Sequence, residues 1–171
     1  MRATQYRDGV WIYRDALQNN TRKNIPLLMP HSTHTEHPIF TLPVRVYFQD
    51  TDAGGVVYHG SYVNFLERAR TEWMRECYNY TNAGLIKEFE SAFVVRSLKL
   101  NYLKPALLDD LLDVGVQMES MGNSRVSLKQ FVRRGEEILV EAEIHLVCVS
   151  LKNFKPMGVP DVLRKQMQEK R

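Results

Sequence analysis

The chain has 171 residues, 44% apolar and 25% charged, with a formal net charge of +3, enough for one domain with a core of its own. Its cations are spread along the sequence with no basic stripe interleaved with aromatics, which argues against nucleic-acid binding. No apolar run approaches the roughly 20 residues that a membrane-spanning helix needs.

Residues 1–38 read as a mostly disordered N-terminal extension. Arg2, Arg7, Arg14, Arg22 and Lys23 outweigh Asp8, Asp15 and Glu36, and neither residues 18–21 nor residues 26–30 keep a hydrophobic period. Residues 10–13 alone suit a short strand or docking turn. Charges at Arg7, Asp8, Arg14 and Asp15 interrupt the nearby apolar pieces, against a secretory leader. His31, His34 and His37 are spaced as H-x2-H-x2-H, and imidazole is a common metal ligand. No cysteine or acidic cluster joins them, so a linker and no metal site is the expectation.

The domain proper is expected over residues 39–160. Val44, Val46 and Phe48 alternate with Arg45, Tyr47 and Gln49, the period of a strand. Asp50 and Asp52 bracket Thr51, and Ala53-Gly54-Gly55 gives a turn whose glycines tolerate positive φ. Ser61 is a natural N-cap for an amphipathic helix, with Tyr62, Phe65, Leu66, Ala69, Trp73 and Cys77 near one face. Glu67, Arg68, Arg70, Glu72 and Arg75 lie outside, with Arg68 and Glu72 at i, i+4 spacing. Residues 79–84 stop that helix, and residues 85–91 add a short helical turn. Strands then follow at 92–104, 112–119, 125–133 and 139–150, joined by turns at Gly122-Asn123 and Gly135-Glu136. Residues 161–171 form a short tail, with Asp161 capping a helix over 162–168. Cys77 falls on the helix and Cys148 on the last strand, so no disulfide framework is expected.

The pattern is α+β, an antiparallel sheet covering one long helix. Parallel strands would need crossover helices, and residues 92–150 have none. One helix on one sheet buries limited area, so paired protomers joined edge to edge are expected.

Asp52 is the residue best placed for chemistry. It follows a strand, in a glycine turn leading to a helix N-terminus, where backbone N–H groups can hold a developing oxyanion. A carboxylate opposite such a hole could activate water or attack a carbonyl. His59 could steer substrate, shuttle a proton or lend its backbone N–H. From residue type alone, turn caps are the stronger reading for Asp50 and Asp52, a loop position for His59, and core packing for Tyr58, Tyr62 and Trp73.

The run Tyr47-Phe48-Gln49-Asp50-Thr51-Asp52-Ala53-Gly54-Gly55-Val56-Val57-Tyr58-His59-Gly60-Ser61-Tyr62, followed by Phe65-Leu66-Glu67-Arg68-Ala69-Arg70-Thr71-Glu72, resembles the hot-dog-fold acyl-CoA thioesterases. Within them it is similar to the 4-hydroxybenzoyl-CoA thioesterase superfamily and its YbgC-type, Tol-Pal-associated branch. The resemblance continues more weakly at Ala92-Phe93-Val94-Val95-Arg96, Pro105 to Asp110, Glu141-Ala142-Glu143 and Lys155-Pro156. It implies a five- or six-stranded antiparallel sheet around one helix, in a homodimer or dimer of dimers with active sites at the interface. It implies Asp52 as general base or nucleophile, and His59 as second active-site residue whose backbone N–H polarises the carbonyl. Tyr58 and Arg125 are carried over as substrate-binding, Arg125 because relatives hold CoA phosphates at the turn before it. Arg125 is the only cation in residues 121–125. The implied substrate is acyl-CoA or acyl-carrier protein, with no cofactor, in the cytoplasm or peripheral to the inner membrane.

Two other functions compete with hydrolysis. An acyl-binding or scaffold protein of the envelope or phospholipid-synthesis machinery would keep its partners without Asp52. A phosphatase-like Asp-x-Asp site with Mg2+ would need a parallel sheet, and has Gly54 where Thr or Val is usual.

Overall fold

The computed structural model describes residues 5–7, 10–12 and 39–169, in two units that divide after His34. The first contains β1 (Gln5–Arg7) and β2 (Val10–Ile12), an antiparallel pair with Tyr6 opposite Trp11. The strand expected near residues 10–13 is β2. His31, His34, His37 and the rest of the expected disordered extension lie outside the described residues.

The second unit is one antiparallel sheet with helices on its inner face. Its strands are β3 (Phe40–Arg45), β4 (Ser91–Tyr102), β5 (Leu111–Met121), β6 (Arg125–Arg134) and β7 (Glu137–Ser150), in the order β3-β5-β6-β7-β4. The helices are α1 (Ser61–Tyr78), α2 (Asn82–Phe89) and α3 (Asp161–Glu169). This is the α+β architecture expected, with five strands.

Period-two alternation builds the inner face. Leu112, Val114, Val116 and Met118 of β5 are buried, as are Val140, Ala142, Ile144 and Cys148 of β7. Phe65, Leu66, Ala69 and Trp73 of α1 complete the core from the helix side. Each large side chain so buried contributes roughly 1.5–3 kcal/mol before entropy is counted. Gln130 is the polar exception. Its Nε2 donates to the Leu66 carbonyl at 3.1 Å, and its Oε1 accepts from Arg70 Nη1 at 2.9 Å, tying α1 to β6. Both ends of the buried amide are therefore satisfied.

Three local expectations need correction. The strand read at residues 44–49 is β3 at Phe40–Arg45, and a 3-10 turn over Phe48–Asp50 replaces its second half. Val44 and Val46 do face inward, but Phe48 is 82% exposed. The cause is Asp50, whose Oδ2 accepts from the Tyr47 N–H at 2.9 Å and curls the chain out of the strand. Ser61 is the first helical residue, not the cap; Gly60 caps α1 without a side-chain bond, and Ser61 Oγ donates to the Asp50 carbonyl at 3.1 Å. The short turn expected at 85–91 begins earlier, as α2, because Thr81 Oγ1 accepts from the Gly84 N–H at 2.9 Å.

The two edges of the sheet differ. β3 carries Pro43, which an edge strand tolerates. β4 is twelve residues long, and Val94, Val95 and Leu98 are exposed on it.

Candidate active site

The site is built by the loop between β3 and α1, which doubles back on itself through a bridge between Thr51 and Val57. Asp50 anchors the loop. It is 5% exposed, its carboxylate caps the 3-10 turn, and its carbonyl accepts from the Tyr58 N–H at 2.8 Å. Asp52 heads the tight turn that follows. The Asp52 N–H donates to Val56 O at 3.0 Å, and its carbonyl accepts from the Gly55 N–H at 3.0 Å. Gly55 has φ +75°, a value that glycine takes without strain. The Asp52 carboxylate is exposed and, among the described residues, accepts only through Oδ1, from the Gly54 N–H at 2.8 Å. Of the paired carboxylates, one is structural and the other is open for chemistry.

Tyr58 and His59 end the loop at the start of α1. Their ring centroids are 4.3 Å apart, and Tyr58 is 47% exposed. Tyr58 also lies over Gly60, where a Cβ would come within 2.6 Å of its Cε1. Among the described residues the His59 N–H donates to no backbone carbonyl, while the His59 carbonyl accepts from Tyr102 Oη at 3.0 Å. α1 has no acidic residue in its first turn and no capping side chain, so its positive end is uncompensated there.

A cleft of about 280 Å³ opens beside His59, lined by Val57, Tyr62, Tyr102, Leu103, Lys104 and Pro105. Tyr62 is a buried member of that lining. Its Oη accepts from the Ala106 N–H at 2.9 Å, and burial pushes its phenol above the ordinary tyrosine value. Asp52 is not among the residues lining this cleft in one copy.

Arg125 stands elsewhere. It pairs with Val147 of β7, which pairs with Val94 of β4, whereas His59 meets Tyr102 at the other end of β4. Eight strand residues separate those ends, roughly 26 Å. One copy therefore does not bring Arg125 to His59. A second cavity, about 140 Å³, lies at the Arg125 end and is rimmed by Glu67, Arg70, Thr71 and Asn82.

The sequence reading missed Arg164. From α3 it donates to the Gly122 carbonyl at 3.0 Å, to Asn123 Oδ1 at 3.3 Å and to the Asn123 carbonyl. The turn before β6 thus has a second cation beside it, brought from 41 residues away. No local pattern signals that contact.

The model of the Thioesterase superfamily matches residues 54–141. An acyl-CoA thioesterase, YbgC, of Haemophilus influenzae is 43% identical over 121 residues, covering 71% of this chain and 88% of that protein.

The chain belongs to the thioesterase superfamily.

An acyl-CoA thioester hydrolase, YbgC, of Escherichia coli is 46% identical over 123 residues, 71% of this chain and 90% of its own. A crystal structure of a probable thioesterase from Bartonella henselae superposes with a TM-score of 0.69 at 32% identity, over 72% of this chain and all of that one. The thioesterase-superfamily chain is thus a thioester hydrolase with the hot-dog fold that the motif implied. The family match begins inside the β3–α1 loop at residue 54, so it includes His59 and starts two residues after Asp52.

Proposed function

We propose that the chain hydrolyses acyl-CoA thioesters with Asp52 as general base or nucleophile and the His59 backbone N–H polarising the carbonyl. The observation that carries this reading is the contrast between the two carboxylates. Asp50 is buried and spent on the loop, whereas Asp52 is held exposed by a turn bond, seven residues before His59, whose N–H donates to no backbone carbonyl among the described residues. In this reading Asp52 removes a proton from water or adds to the thioester carbonyl, and negative charge gathers on the carbonyl oxygen against the His59 N–H. Collapse breaks the C–S bond and releases the carrier thiol, which takes up the proton drawn from water. On the nucleophilic branch water then cleaves the acyl–Asp52 anhydride, freeing the acid and the carboxylate. Tyr58, its ring tilted against that of His59, borders the substrate.

The site takes two copies. Antiparallel pairing of β4 with β4 of a second copy, centred near its middle, sets the Tyr102 end of one against the Ser91 end of the other. The second cavity, Arg125 and Arg164 of one copy then flank His59 of its partner. The exposed Val94, Val95 and Leu98 and the unpaired edge favour such a homodimer. Arg125 would there meet the phosphates of CoA, with Arg164 supporting its turn.

No described surface favours an envelope, Tol-Pal or phospholipid-synthesis partner over hydrolysis, and no described helix is long and apolar enough to cross a membrane.

The test is a steady-state assay on acyl-CoA substrates. Asp52→Asn is expected to lower kcat by about 10²–10⁴-fold, the usual contribution of a general base, with KM little changed. Wild-type turnover by the Asp52→Asn protein overturns the assignment.

A further inference from the structure

The direction of the His59 N–H is set by the two peptide planes that meet at the His59 Cα. The plane before it is held through the Tyr58 carbonyl, which accepts from the Ser61 N–H at 2.9 Å. The plane after it is held through the His59 carbonyl, and here the holder is a side chain from the sheet. Tyr102 Oη donates to that carbonyl at 3.0 Å, from 43 residues away in sequence. The Gly60 N–H belongs to this second plane and, among the described residues, also donates to no backbone carbonyl.

Tyr102 is firmly placed for such a bond. It is the last residue of β4 and pairs with Val140 of β7. The chain directly after it is fixed, because the Leu103 and Lys104 N–H groups both donate to the Leu139 carbonyl, at 2.9 and 3.1 Å. Its ring meets that of Tyr62 edge to face, with centroids 5.7 Å apart. Tyr62 is buried and bonded to the Ala106 N–H, so the ring against which Tyr102 rests is itself fixed. Tyr102 is 46% exposed, and water can satisfy an exposed hydroxyl. Burial therefore does not force the bond to His59.

What the bond opposes is rotation of the His59–Gly60 plane. A carbonyl turned towards the substrate would set its negative end against the oxygen on which charge gathers. In a trans peptide the N–H points opposite to the carbonyl, so holding the carbonyl also fixes the Gly60 N–H, and a bond accepted at the carbonyl polarises that N–H further. We infer that Tyr102 is a positioning residue for hydrolysis, acting through the His59 carbonyl to keep the backbone donors at the start of α1 turned to the thioester oxygen. The inference rests on the catalytic reading above, in which this backbone polarises the substrate carbonyl.

The experiment uses Tyr102→Phe, which removes one oxygen and keeps the ring. On a saturated acyl-CoA its kcat is expected to fall about 10–100-fold, less than the loss of an oxyanion donor itself. KM, the urea midpoint and the sedimentation coefficient should stay at their wild-type values. The second readout is the infrared carbonyl band of an isotope-labelled thioester bound to the Asp52→Asn protein, with and without Tyr102→Phe. With Tyr102 present the band is expected below its frequency in free solution, and in Tyr102→Phe it should return towards that frequency. An unchanged kcat, whatever the KM, or a band equally shifted in both proteins overturns the inference. A lower kcat that comes with a lost fold, a lower urea midpoint or a changed sedimentation coefficient makes the hydroxyl structural and overturns it as well. Failure of the catalytic reading looks different: the band stands at its solution frequency even with Tyr102 present, or turnover persists in Asp52→Asn.

Discussion

Asp50 and Asp52 show how two like residues, two positions apart, take opposite work. Asp50 is buried and accepts the Tyr47 N–H, so Asp50→Ala removes a cap and should cost about 1 kcal/mol. Asp52 is exposed and accepts one N–H within its own turn, so Asp52→Ala should stay within about 0.5 kcal/mol of wild type. Urea unfolding followed by circular dichroism measures both. The expected outcome is inverse effects, with stability lost at Asp50 and turnover lost at Asp52. Equal destabilisation would mean that Asp52 is a structural residue too. The motif made Asp52 and His59 legible in the sequence, but not which aspartate was structural. That distinction depends on Tyr58 and Ser61 folding back onto Asp50, contacts that residue type does not reveal.

At the level of elements, strands with clean alternation read well. Leu112 to Met118 and Val140 to Cys148 lie in β5 and β7 with the buried face expected. Residues 46–49 did not read correctly, because tyrosine and phenylalanine suit a strand while one cap bond from Asp50 outweighs that preference. Gly115 reads as an ordinary strand position, yet a Cβ there would stand 2.1 Å from Phe131 Cε1. Gly115→Ala is therefore expected to destabilise by about 1–3 kcal/mol, as overpacking does, with a lower urea midpoint as the measure. α1 supplies a pH test. Burial raises the phenol of Tyr62 above its usual value and pushes that of Tyr78 up to about 12. Folding favours the neutral phenols, so their contribution is complete below about pH 10 and is lost as pH rises through the folded values. The urea midpoint should fall between about pH 10 and 12, with tyrosinate absorbance from these residues appearing only as the protein unfolds. Ionisation of all tyrosines near pH 10 with the fold intact would contradict this.

The whole molecule joins these scales through its unpaired edge. The α+β class and the antiparallel order follow from strand count and tight turns, so they were legible. The division of the site was not, because Arg164 reaches the turn before β6 from a tail helix, through contacts to Gly122 and Asn123 that no local pattern signals. In one copy His59 meets the Tyr102 end of β4, whereas the 140 Å³ cavity is lined by Phe93 and Val95 towards its other end. Hydrolysis as proposed requires a second copy to bring them together. Leu98→Arg places like charges across the pairing axis and should separate the copies. The decisive measurement is sedimentation velocity together with thioester hydrolysis at the same protein concentration, on wild type and Leu98→Arg. The account predicts an active wild-type dimer and a folded Leu98→Arg monomer whose kcat/KM is lower by at least about 10²-fold, as expected when the groups that position substrate are lost. A wild-type monomer with full activity, or a Leu98→Arg monomer hydrolysing at the wild-type rate, would contradict it.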